Sequence, residues 1–243
     1  MSEASYISFV RDAETRPMIG MFREDLESLR ASFPHLLSLT LNYQPAPTGV
    51  PADSGEYKRN NLIEDKLEKA VPSSVVLVGH LTGNGRTVIL FVSKMPSVAP
   101  ITVGLGLFKK ETFTLVPPHP DPWAWYESNA KITDLERVTS AYFPLYQQLE
   151  QHGDNHAKAR PVDFAANFPT DAGREAFLAE VFAQGYVLGK QGKWAPAPGE
   201  YWCEFVKETA IEPSRMGPLV LELEALAAGH GGAFDGWACP VVT

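Results

Sequence analysis

Apolar and polar positions along the chain change period several times, and each change marks an element. Ile7 and Phe9 alternate with Tyr6, Ser8 and Val10, which predicts a first strand over residues 4–12. Asp12–Thr15 reads as a turn and Arg16–Phe22 as a second extended piece. Leu26 and Leu29, three apart, predict a helix over 24–32 that Pro34 stops. Leu37, Leu39 and Leu41 alternate within a strand from Leu36 to Tyr43. After the Pro/Gly/Asp loop 44–55, Asp53 or Ser54 followed by Glu56 resembles a capping box. The helix it opens reaches Ala70, with Leu62, Ile63, Leu67 and Ala70 near one face.

Two apolar runs, Ser74–Leu81 and Arg86–Val92, flank Thr82-Gly83-Asn84-Gly85. Asn-Gly supplies the two positive φ angles of a type I′ hairpin turn. Both strands are apolar on both faces, so they are expected to be central and covered on each side. A strand is expected over 111–116. The proline run 117–122 then leads into Trp123-Ala124-Trp125-Tyr126 at a helix start. Helical spacing from Asp134 to Gln151 predicts one helix, kinked or broken at Pro144 and ended by Gly153. The domain boundary is placed at 153, giving parts 1–153 and 154–243.

The second part has a simpler order. Val162, Phe164, Ala166 and Phe168 alternate in a strand. Thr170 is an expected N-cap, with Phe177, Leu178, Val181 and Phe182 as the apolar stripe and Gly185 beyond the helix end. A short strand 186–189, a loop 191–199 and a strand 200–208 follow. Met216, Leu219, Val220, Leu223, Leu226 and Ala227 mark a second helix, beginning at Pro213 or Pro218. Gly229-His230-Gly231-Gly232 breaks it before a last strand. The whole chain thus reads as α+β in two domains. The second is a ferredoxin-like β-α-β-β-α-β unit whose last strand lies beside its first and whose helices share one face.

Composition narrows the function classes. The 243 residues are 44% hydrophobic, enough for real cores, with 21 basic and 29 acidic side chains and a net charge of -8. Acids outnumber bases both before and after Glu150, so nucleic-acid binding is not expected. No apolar run approaches the roughly 18 residues of a membrane span, and no membrane partner is expected. The start, Met1–Ser5, has no signal-peptide pattern, and the location expected is the cytoplasm. Cys203 and Cys239 do not make a disulfide framework; the βαββαβ plan puts a strand between theirs, so both are expected as free thiols.

The first part resembles the domain-of-unknown-function family 695, through Gly49-Val50-Pro51, the helix bearing Leu62, Glu64, Asp65 and Leu67, the glycine-turned hairpin and Asp121–Tyr126. That resemblance covers most of residues 5–130 and implies no chemistry. The second part resembles the RraB-like family, protein regulators of ribonuclease E activity. The residues are Val162-Asp163-Phe164, Arg174–Phe177, Gly185-Tyr186-Val187, Trp202 and Gly232-Ala233-Phe234-Asp235-Gly236-Trp237. The resemblance implies a domain that restrains a ribonuclease by binding it.

No nucleophile elbow or phosphate-binding loop is present, and no catalytic, cofactor or metal residue is assigned. His152-Gly153-Asp154-Asn155-His156 reads as a polar linker, because metal sites need more converging ligands. His80 reads as an ordinary surface or turn residue. The candidate partner contacts are Trp194 in a loop, Trp202, and Asp235 and Trp237 on the last strand. In Asp235-Gly236-Trp237 the favoured reading is that Gly236 permits a bulge or close approach, Trp237 packs across the sheet and Asp235 anchors a turn; alternatively Trp202 and Trp237 could share the sheet face opposite the helices. The alternative function is a small-ligand binder or enzyme with an interdomain site, drawing on residues 48–55, 123–126 and the linker histidines. RNA binding would use Phe164 with Tyr201 or Phe205 as stacking platforms.

Overall fold

The computed structural model describes residues 5–11, 18–47, 49–193 and 200–243. The chain forms two compact units, Met1–Ser140 and Ala141–Thr243.

The first unit is built on a five-stranded antiparallel sheet. Its early elements are β1 (Tyr6–Arg11), β2 (Met18–Arg23), α1 (Leu26–Ser32), β3 (His35–Asn42), α2 (Ser54–Ala70), β4 (Val75–Gly83) and β5 (Arg86–Ser93). The strand order is β1-β2-β4-β5-β3. A small hairpin, β6 (Ile101–Gly104) with β7 (Lys110–Phe113), follows, then α3 (Pro122–Asn129) and α4 (Asp134–Ala141). Asn84 and Gly85 have φ of 52° and 78°, as the type I′ turn requires.

Apolar residues on both faces of β4 and β5 do bury on both sides. Ile89 and Phe91 join a core with Ile63 and Leu67 of α2. Val88, Leu90 and Val92 join another with Leu26 of α1 and Tyr126 of α3. The aromatic cluster 123–126 is packing: Trp123 Nε1 donates to Pro34 O at 2.7 Å, and Arg30 lies over its ring.

The apolar face expected for α2 differs: Leu62 and Ala70 are exposed, and the buried side is Asn60 and Glu64 beside Ile63 and Leu67. The sheet beneath accounts for this. His80 lies on β4, half-buried, with Nδ1 2.8 Å from Glu64 Oε2. Asn60 donates to Thr87 Oγ1 at 3.2 Å, and Thr87 bonds Thr82 at 3.0 Å. His80 is therefore no ordinary surface residue.

Pro144 splits the expected long helix into α4 and α5 (Phe143–Gln151), because proline is tolerated in a first helical turn but not inside a helix. The division between units falls at Ser140/Ala141, ahead of the boundary read at 153, and α5 belongs to the second unit. There Tyr146 OH donates to Ile211 O at 2.8 Å.

The second unit continues with β8 (Arg160–Phe168), α6 (Asp171–Ala183), β9 (Val187–Lys193), β10 (Tyr201–Thr209), α7 (Pro213–Gly229) and β11 (Ala233–Ala238). The sheet order is β11-β8-β10-β9, all antiparallel, so the last strand lies beside the first. This is the ferredoxin-like plan. Thr170 caps α6, its side chain accepting from Gly173 N at 3.1 Å. Phe182, expected in the apolar stripe, is 40% exposed, and Phe177, Leu178 and Val181 carry the burial. Cys203 and Cys239 are free.

Candidate interaction face

Register decides what each face of the second sheet presents. Val162, Phe164, Ala166 and Phe168 of β8 are buried, as are Cys203 and Phe205 of β10. Phe164 stacks on Phe205 at 5.7 Å, and Phe177 of α6 meets Phe205 at 5.3 Å and Phe168 at 5.1 Å. His230, just past α7, bonds Glu180 of α6 at 2.9 Å, joining the two helices on this face. Interlocked aromatic rings of this kind fix the sheet's position beneath its helices.

The alternate residues point the other way. Asp163, Ala165 and Asn167 of β8 stand opposite or diagonal to Trp202, Glu204 and Val206 of β10. Lys190 of β9 stands opposite Glu204, and Gly192 opposite Trp202. Every one of these residues is half-buried or exposed. A Cβ on Gly192 would lie 2.9 Å from the Trp202 ring, so the indole lies flat against that glycine.

On β11 the pairing shifts between Phe234 and Gly236, leaving Asp235 as the extra residue of a bulge, exposed to solvent. Gly236 has φ +134°, a conformation that side-chain-bearing residues rarely adopt, which is why glycine stands here. The shift brings Trp237 opposite Phe164, on the helix-covered side. Its ring is buried against Tyr142 at 5.4 Å and Tyr146 at 5.9 Å. Trp202 and Trp237 therefore do not share a face. The bulge at Gly236 and the packed Trp237 agree with the reading of Gly236 as a bulge position, and they leave Trp202 without Trp237 on the open face.

The open face holds a shallow hollow of about 340 Å³, floored by Ala165 and Gly236 and bordered by Asp163, Glu204 and Asp235. Among the described residues none of these three carboxylates is in an ion pair, while Lys190 is the cation in register with Glu204. Trp194 lies outside the described residues.

The residues expected as RNA stacking platforms, Phe164 and Phe205, are not on this face: both are buried under the helices. Tyr201 pairs in register with Phe168 and carries Arg174 and Lys193 over its ring. Burial pushes the Cys203 thiol up to about 12 and raises that of Cys239, so neither is a ready thiolate. Among the described residues no group of three or more His, Cys, Asp or Glu is placed to hold a metal ion.

Within the expected linker 152–156, where His152, Gly153 and Asn155 are exposed, the Asp154 side chain is a buried anchor. The Asp154 carboxylate is fully enclosed and holds the guanidinium of Arg160, itself 1% exposed. Oδ2 also accepts from Val242 N at 2.7 Å. Burial acts to raise the Asp154 pKa, but the Arg160 and Val242 hydrogen bonds outweigh it and hold the carboxyl below its ordinary value. The start of β8 is thereby fastened to the end of the chain beyond β11. The sequence signal for this was faint: one arginine opening an otherwise alternating strand.

The second unit thus belongs to the ferredoxin-like α+β class, with one face under two helices and the other an acidic, tryptophan-bearing surface. The sequence model of the family described as regulator of ribonuclease activity B, RraB, matches residues 144–239. The match runs from the first turn of α5 to just past β11. No curated protein matches the chain.

Proposed function

We infer that this chain is a non-enzymatic regulatory protein whose second unit binds a protein partner, a ribonuclease, and lowers its activity. The observation that carries the reading is the match of residues 144–239 to a family of ribonuclease regulators. The contact surface we assign is the open face, with Trp202 as its aromatic anchor and Asp163, Glu204 and Asp235 as an acidic border. Tryptophan in a partly enclosed position is a common hot-spot residue, and border charges steer association. Trp237 supports that surface from behind and Trp194 is a further candidate contact. The proposed site of action is the cytoplasm. The first unit, which resembles domain-of-unknown-function family 695, is assigned no chemistry.

The test is an endoribonuclease assay on a fluorogenic single-stranded RNA, with the full chain titrated in, beside calorimetric binding to the same ribonuclease. The expected result is saturable inhibition with a matching dissociation constant. Trp202→Ala with Glu204→Lys should weaken both at least tenfold, on the scale of about 2 kcal/mol for one hot-spot residue. Absence of both binding and inhibition would sink the proposal.

A further inference from the structure

The β6–β7 hairpin of the first unit ends in a loop that the reading above does not use. Its base is anchored: Ile101, Val103 and Phe113 are buried in the core with α2, and Thr102 bonds Thr112 across the strands at 2.8 Å. Leu105 N donates to Lys109 O at 2.8 Å and closes the loop. At the tip stand Leu107 and Phe108, 93% and 97% exposed. Single exposed apolar side chains are ordinary. Two adjacent large ones, held out on a fixed support, contribute nothing to the fold that carries them.

The charge along the tip segment 105–110 is positive. Lys109 and Lys110 follow Phe108 directly, and no Asp or Glu occurs between Glu68 and Glu111. Glu111 pairs with Lys109 at 2.9 Å and with Arg59 at 3.0 Å, so among the described residues Lys110 is the tip lysine outside an ion pair. The segment Leu105-Gly106-Leu107-Phe108 has no polar side chain.

We propose that this tip docks the protein peripherally on an anionic phospholipid surface. Leu107 and Phe108 enter the acyl boundary while Lys109 and Lys110 sit among the headgroups. Apolar residues outermost, with cations one and two positions behind, match the layering of a bilayer interface. A pocket on another protein fits less well, because such recognition is fixed by hydrogen bonds around an apolar anchor, and the tip offers only its lysines for that. Acids elsewhere on the chain do not oppose docking, since salt screens charges beyond about 8 Å. The expectation of no membrane partner concerned spanning segments, and no helix among the described residues is long and apolar enough to cross a membrane.

The test is sedimentation of the full chain with phosphatidylcholine vesicles, with or without phosphatidylglycerol. The expected result is pelleting with the anionic vesicles only, weakened by added salt. Leu107→Ser with Phe108→Ser lowers the partition coefficient at least about tenfold, from the apolar area withdrawn. Lys110→Gln lowers it about fivefold. The melting temperature holds in each variant, because these side chains support no packing. Phe108→Trp gives an emission blue shift on vesicle addition. No pelleting with anionic vesicles, or equal pelleting of the double serine variant, overturns the proposal. So does capture of a protein through the tip without vesicle binding. Trp202→Ala leaves pelleting unchanged, which separates this proposal from ribonuclease binding.

Discussion

Replacing Asp154 by alanine should cost the second unit about 3 kcal/mol. Asp154 is fully enclosed, Arg160 is 1% exposed, and one carboxylate oxygen serves both the guanidinium and Val242 N. Removing one partner of such a pair typically costs about 3–5 kcal/mol, because the other charge stays buried. Arg160 keeps other acceptors, Asn155 O at 2.5 Å and Lys158 O and Pro240 O at 3.2 Å, which argues for the lower end. Asp154→Asn retains an acceptor and should cost about 2 kcal/mol, near the value of one charge-assisted bond. Asp154→Leu with Arg160→Met should recover much of the loss, since an apolar pair leaves no buried charge.

Hydrogen exchange is the suitable assay, because two units need not unfold together and β8 and β11 amides report this one. The acid limb adds an independent reading. Asp154 has a depressed pKa in the folded protein, so its contribution is present above its ordinary value of 3.8 and is lost as pH falls through the folded value. Protection of β8 should therefore fall more steeply with acid in the wild type than in Asp154→Asn. A loss under about 1 kcal/mol in Asp154→Ala, or equal loss in first-unit amides, would refute the reasoning.

Gly79→Ala should prevent stable folding of the first unit, since φ is +140° and the added Cβ would lie 2.0 Å from Met21 O; loss of cooperative melting and of β4 amide protection would show it. Cys203 should resist a thiol reagent at neutral pH in the native protein and react fully in denaturant, with Cys239 reacting faster than Cys203, as absorbance of the released thiolate will report. Gly236→Ala should destabilise the second unit by about 1–3 kcal/mol through strain at the bulge, read as a lower midpoint in urea. Trp202→Ala should leave the second unit folded, with a single cooperative urea transition, while weakening ribonuclease binding at least about tenfold.

Elements with a clean period were legible from sequence. The alternation in β8, the capping threonine of α6 and the Asn-Gly turn each rest on contacts close in the chain. Failures arose where a distant partner decides the outcome. Asp154 looked like linker because its partners include Val242, 88 residues away. His80 looked like an ordinary surface or turn residue because its partner, Glu64, lies on another element. The bulge at Gly236 was legible, since glycine inside a strand marks such geometry, but the aromatic partners of Trp237, Tyr142 and Tyr146, lie on a distant helix and its N-cap.

The bulges also limit how any partner can bind. Both outer strands of the second sheet, β9 and β11, carry a register shift. A regular row of free amides and carbonyls is what lets a foreign strand add to a sheet, and each bulge interrupts that row. Lys190 and Lys193 further discourage pairing along β9. Strand addition is thereby disfavoured at either margin, as is runaway stacking of one copy upon another. What remains for recognition is side-chain chemistry across the broad surface, which limits the ways the unit can be misread.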